Sequence, residues 1–216
     1  MLACHEGHIE TVRCLLEAGA DKNLASRDGS TSLLLACESG HADVLHVLLE
    51  AGAEKDASDD EGFTGLMLAC RKGHIETVRF LLEAGGDVES ADNDGNTALI
   101  RASEEGHVEV VRLLLTAGAD TNFVNNEGVS ALTLASGAGH ADVVLLLLRD
   151  GCDTSLLNND GFTALMVASQ AGNIEVVRLL LLAGADQDVA SQDGITALTA
   201  ASDDGHPEVA RLLSLM

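Results

Sequence analysis

The chain has no tryptophan, no tyrosine, four phenylalanines and one proline, and only 12 basic residues stand against 35 acidic ones in its 216. Each shortage excludes something. A formal charge of −23 repels a polyanion, which argues against nucleic-acid binding by phosphate neutralisation. Four aromatics do not make a base-stacking platform. The longest aliphatic run, Val143 to Leu148, falls far short of the ~18 residues of a membrane span, so no membrane insertion is expected. The start, Met1-Leu2-Ala3-Cys4-His5-Glu6, has no basic segment followed by an apolar one and does not read as a signal peptide. Five cysteines (Cys4, Cys14, Cys37, Cys70, Cys152) form no C-x-x-C pair and are odd in number, unlike a disulfide scaffold. They favour a reducing compartment, the cytoplasm first and the nucleus second. An apolar content of 46% still excludes a disordered acidic tail. The core must come from Leu, Val, Ala and Ile.

What is present in abundance is a period. Gly29, Gly62, Gly95, Gly128, Gly161 and Gly194 are each 33 residues apart, and two further columns, one running from Gly7 to Gly205 and one from Gly19 to Gly184, repeat at the same interval. Together they hold 19 of the 22 glycines. Each unit opens with a polar hairpin carrying a pair such as Asp94-Gly95, where glycine supplies a positive φ. A hydroxyl follows two residues later (Thr31, Thr64, Thr97, Ser130, Thr163, Thr196), placed to cap a short helix of Ala, Leu and small residues. The middle glycine ends that helix. A second helix starts near Ile9, Ala42, Ile75, Val108, Ala141, Ile174 and Pro207, with the chain's one proline at a position where a missing N–H costs nothing.

The repeated string Asp-Gly-x-Thr-Ala-Leu, followed by Gly-His-x-Glu-Val-Val-Arg-Leu-Leu-Leu-x-Ala-Gly-Ala-Asp, resembles the ankyrin repeat. The resemblance covers one domain, 1–216, in seven units: 1–27, 28–60, 61–93, 94–126, 127–159, 160–192 and 193–216. It implies an all-α solenoid of stacked helix-turn-helix units with hairpin loops. One departure is that the proline and histidine of the usual Thr-Pro-Leu-His are absent from every unit, which reads for example Thr-Ala-Leu-Met, Thr-Ala-Leu-Ile or Thr-Ala-Leu-Thr, so the cap rests on the hydroxyl alone. Unit one lacks its hairpin and cap and the last unit stops after its second helix, which reads as a piece of a longer array or as an array with frayed ends.

Several columns carry reactive side chains, and each reads as packing. The histidines His8, His41, His74, His107, His140 and His206 recur with the stack, which spaces neighbouring rings too widely for two of them to share a zinc ion. In the resembled family this His joins neighbouring repeats. Cys4, Cys37 and Cys70 recur in a column of small residues, too far apart to bridge. On the second helix, acids such as Glu109 lie three residues before arginines such as Arg112, a surface pairing that contributes about 0.2–0.5 kcal/mol. No nucleophile with its base, phosphate loop or zinc signature is present, no cofactor is expected, and no departure from the period reads as a polar constellation. Leu145 and Leu182 replace polar residues, and read first as scattered surface leucines and second as one small exposed spot. The resemblance also makes Asn23 and Asn122 candidate hydroxylation sites.

By the same resemblance, a partner protein would bind on a concave face lined by the hairpin tips and the inner ends of the first helices. The third unit contributes Asp60, Glu61, Phe63, Arg71 and Lys72, and the fourth Asp94, Asn96, Glu104 and Glu105. Glu127 and Val129 follow in the fifth, Asp160 and Phe162 in the sixth, and Asp193, Ile195, Asp203 and Asp204 in the last. Of the 30 variable positions in units two to seven, 12 are acidic and three basic, and Phe63, Val129, Phe162 and Ile195 form an apolar row interrupted by Asn96. An acidic trough with an apolar row suits a basic segment with hydrophobic anchors. The other reading is that the acids only keep a Leu-rich solenoid soluble. The function expected is therefore non-catalytic protein–protein recognition by a monomer. The alternative is a spacer or a fragment of a larger ankyrin-containing enzyme, channel or ubiquitin-ligase adaptor.

Overall fold

The computed structural model describes residues 1–215. Fourteen helices run in chain order: α1 Leu2–His5, α2 Ile9–Glu17, α3 Ser32–Ser39, α4 Ala42–Glu50, α5 Gly65–Lys72, α6 Ile75–Glu83, α7 Ala98–Glu104, α8 Val108–Thr116, α9 Ala131–Ala138, α10 Ala141–Arg149, α11 Ala164–Gln170, α12 Ile174–Leu182, α13 Ala197–Asp203 and α14 Pro207–Leu213. Odd-numbered helices pack on one another from α1 to α13, even-numbered ones from α2 to α14, and each odd helix packs on the even one that follows. The result is an all-α stack two helices deep. Isolated bridges in the loops, such as Ala91 with Thr97, are the only β pairing among the described residues.

The helices start where the hydroxyls predict. Thr31, Thr64, Thr97, Ser130, Thr163 and Thr196 each accept the amide of the third residue on, at 3.2–3.4 Å. That satisfies one of the four donors a helix start leaves open. The 19 periodic glycines all have positive φ, and the other three, Gly65, Gly86 and Gly137, do not.

Helices of seven to nine residues are marginal alone, so stacking must hold them. Leu33, Leu66, Leu99, Leu132 and Leu165 from the odd helices, and Leu48, Leu81, Leu114, Leu147 and Leu180 from the even ones, are all buried in one continuous core. Each such leucine contributes about 1.5–3 kcal/mol.

The histidine column ties successive helix pairs together. The Nε2–H of His74 donates to the Glu38 carbonyl at 3.0 Å, that of His107 to Arg71 at 3.0 Å and that of His140 to Glu104 at 2.9 Å. Each carbonyl lies in the last turn of the preceding odd helix, where no intrahelical donor remains. Asn173 does the same work through its Nδ2, donating to Gly137 at 2.8 Å.

Candidate functional site

The hairpins place a row of acids along one edge. The Asp59 Oδ1 accepts the amides of Glu61 and Phe63, and the Asn125 Oδ1 those of Glu127 and Val129, at 2.8–3.0 Å. Each tip is closed from within, so the side chains between point away. Neighbouring tips are joined in turn: the amides of Asp60, Asn93, Asn126 and Asn159 donate to the carbonyls of Asp28, Glu61, Asp94 and Glu127 at 2.9–3.1 Å. Asp60, Glu61, Asp94, Glu127, Asp160 and Asp193 are exposed on this ladder. At the ends of the odd helices, Lys72, Glu105, Asp203 and Asp204 are exposed, whereas Arg71 and Glu104 are half-buried. Val129, Phe162 and Ile195 are half-buried beside the tips.

Two hollows open between tips and helices. The first, of about 270 Å³, has a floor of Leu34, Leu35 and Leu68 and a rim that includes Asp28, Glu38, Asp60, Glu61 and Arg71. The second, of about 330 Å³, has Val129 and Leu134 on its floor and Asp94, Glu104, Asn126, Glu127 and Arg101 around it. The Ser26 hydroxyl and nearby backbone amides hold Asp28 below the usual carboxylate range, so it is ionised at neutral pH.

Between the hollows lies a polar cluster that the sequence reading missed. Arg101 stands where other units carry Leu35, Leu68, Leu134, Val167 and Ala200. Its Nε and Nη2 donate to Asp92 Oδ2 at 3.1 and 2.7 Å, and its Nη1 to Glu104 at 3.3 Å. Burial opposes the charge on Arg101, but the Asp92 and Glu104 carboxylates outweigh it and raise its pKa. Asn96 donates its amide to Asp92 at 2.9 Å and accepts from Asn125 at 2.8 Å. The expectation that no departure is a polar constellation is therefore corrected. A single charge in an apolar column was its signal.

The same cluster buries most of two expected contact residues. Phe63 is only 7% exposed, because the Arg71 guanidinium lies 4.7 Å and that of Arg101 5.2 Å from its ring centroid. Asn96 is 5% exposed and committed to Asp92 and Asn125. Phe63 still contributes to the lining of the first hollow and Asn96 to that of the second. Both belong to the wall between the hollows.

The family model described as ankyrin repeats, in three copies, matches residues 1–59, 52–125 and 117–191. The chain belongs to the ankyrin-repeat family. No curated protein matches it. Ankyrin repeats are protein–protein interaction modules, typically non-catalytic.

The remaining ankyrin columns are structural. All five thiols are free, with Cys14 exposed and Cys4, Cys37, Cys70 and Cys152 buried. Arg79, Arg112 and Arg178 lie 3.6, 3.3 and 3.9 Å from Glu76, Glu109 and Glu175. Asn23 and Asn122 bridge hairpins, their Oδ1 atoms accepting the amides of Glu54 at 3.1 Å and Asp153 at 2.7 Å. The leucine spot is reduced to one residue: Leu182 is 76% exposed, but Leu145 is half-buried. Among the described residues, no group of three or more His, Cys, Asp or Glu is placed to hold a metal ion, and no helix is long and apolar enough to cross a membrane.

Proposed function

We propose that the chain is a non-catalytic recognition module, one domain of seven ankyrin units, whose acidic hairpin face binds a basic, extended segment of a partner protein. The supporting observation is the pair of apolar-floored hollows whose rims hold more carboxylates than cations. The first has Asp28, Glu38, Asp60 and Glu61 around Arg71; the second has Asp94 and Glu127 beside an Arg101 that is already paired with Asp92 and Glu104. Uncompensated charge around an apolar floor favours a long basic side chain, whose stem covers the floor while its head meets the rim. The module acts as a monomer in a reducing compartment, the cytoplasm or nucleus, and takes no cofactor.

The test separates recognition from mere solubility by comparing two charge reversals of equal size. Glu104→Lys with Glu105→Lys changes the hairpin face, and Asp142→Lys with Glu208→Lys changes the even-helix side. Binding of an extended Arg/Gly-rich peptide is measured against salt concentration. The hairpin-face pair is expected to cut affinity at least tenfold and flatten the salt dependence, while the other pair has a much smaller effect. Equal losses from both would mean that only net charge matters, and the acids would then be solubilising.

A further inference from the structure

The two hollows occupy equivalent places in the stack two units apart, and differ where Leu35 becomes Arg101 and Arg71 becomes Gly137. Adding 66 to the residue numbers of the first gives the second: Asp28 becomes Asp94, Glu38 becomes Glu104, Glu61 becomes Glu127 and Leu68 becomes Leu134. The equivalent space one unit along is filled. There Arg101 replaces the leucine that floors the first hollow at Leu68, lies over Phe63 and is pinned by Asp92. The rim position of Glu38 and Glu104 is taken at that intermediate step by Arg71, a cation. Site, plug, site is the pattern, and the charge of the rim alternates with it.

On the reading that this face binds a basic extended segment, we infer that it selects two basic side chains held at a fixed separation, one in each hollow, with the Arg101–Asp92 pair as the divider between them. Helices of successive units pack roughly 8–10 Å apart, so two steps span roughly 16–20 Å. An extended chain advances ~3.3 Å per residue and covers that distance in about five or six residues. The partner therefore carries Lys or Arg at positions about five to six apart, with small or neutral residues crossing the wall. Basic residues at intermediate spacing meet Arg71 and Arg101 together and are repelled, whereas in each hollow one arginine is outnumbered by the rim carboxylates. Arg71 adds a further donor. Its Nη2 lies 3.8 Å from Glu38, too far for a hydrogen bond. The part-exposed Nη groups beside the first hollow suit a backbone carbonyl of the segment passing over them.

The experiment titrates the intact isotope-labelled chain with peptides up to millimolar concentration at low salt, following backbone amide NMR shifts. The probes are 16-residue Ser/Thr/Gly peptides carrying one arginine, or two arginines two to nine positions apart. The expected result is an affinity maximum at a separation of five or six. It should stand about tenfold above both the one-arginine peptides and the pair three apart, with shifts at the Glu61 and Glu127 tips together. Glu38→Gln or Glu104→Gln, with the helical circular-dichroism signal and melting unchanged, should bring the best pair to within twofold of one arginine. A flat dependence on spacing overturns this inference. If the Glu104→Lys, Glu105→Lys variant still weakens every peptide, the basic-segment reading survives it. If that variant binds like wild type, or no peptide shifts the hairpin face, both fall.

Discussion

Arg101 grips Asp92 through two nitrogens, Nε at 3.1 Å and Nη2 at 2.7 Å, and the Asp92 side chain it holds is 2% exposed. A carboxylate buried that deeply depends on its cation. Arg101→Ala strands the charge and is expected to cost about 3–5 kcal/mol. Arg101→Leu with Asp92→Asn removes both charges and supplies the residues found at Leu134 and Asn125. That double variant should fall within about 1 kcal/mol of wild type or exceed it, because a well-packed apolar replacement of a buried pair is often neutral. Urea unfolding of the three proteins decides the matter. Equal stability of the alanine and double variants would show that the pair does not hold Asp92.

The repeat, the caps and the glycine positions were legible in the sequence because each rests on a local rule. A threonine three residues before an amide, or a glycine at a helix end, acts without knowledge of distant neighbours. Phe63 was misread for the opposite reason. What covers its ring is Arg71, eight positions along the chain, together with Arg101, 38 along, and reading down a column shows which residue types recur but not which neighbours lie over them. Arg101 itself was legible in principle, as one cation in a column of Leu, Val and Ala. It was passed over because it lies outside the variable columns assigned to a partner. The doubled spacing of the hollows needed three dimensions, since only the position of the Arg101 head shows that the intermediate space is filled.

Gly73 and Gly85 have nearly the same backbone, φ +72° and +73°, but different surroundings. A Cβ on Gly85 meets nothing within 4 Å, whereas on Gly73 it would sit 2.7 Å from the His107 ring. Gly85→Ala should therefore cost only the left-handed backbone penalty, about 1–2 kcal/mol. Gly73→Ala should cost more, by at least about 1 kcal/mol, because it also displaces the imidazole that bonds the Arg71 carbonyl. Unfolding free energies of both variants check the order. Equal losses would mean that the ring gives way without cost.

Burial pushes the Cys37 and Cys70 thiols far above their ordinary pKa, and burial with Asp153 and Asp150 nearby pushes Cys152 up to about 11. The unfolded chain releases these protons near pH 8.5–9, while the native chain keeps them. Stability from these thiols is thus complete below about pH 8.5 and falls as pH rises beyond it, by about 1.4 kcal/mol per pH unit for each thiol. The chain has no tyrosine to obscure this range. With reductant present, Cys37→Ser with Cys70→Ser should lose roughly half to two-thirds of the decline in urea stability between pH 9 and 10.5. An unchanged slope would refute the assignment.

Leu15 and Leu81 occupy the same column but not the same environment. Leu81 is 0% exposed between its neighbours, as Leu48, Leu114, Leu147 and Leu180 nearly are, whereas Leu15 is 47% exposed beside a cavity of about 370 Å³ lined by Cys4, Val12 and Leu16. A buried leucine truncated to alanine loses its transfer energy and leaves a void, so Leu81→Ala should cost about 2–5 kcal/mol. Leu15→Ala removes surface that is already half wet and should cost about 1 kcal/mol or less. The same difference fixes where the stack opens first. The pair α1 and α2 packs on a neighbour at one side only, and Met1 gives α1 no side-chain cap. Amides in 1–27 should exchange with deuterium well before those of α5 to α10, since opening them breaks one interface where opening an interior pair breaks two. Uniform protection along the chain, or a Leu15→Ala loss equal to that of Leu81→Ala, would show that the first helix pair is held as firmly as the interior.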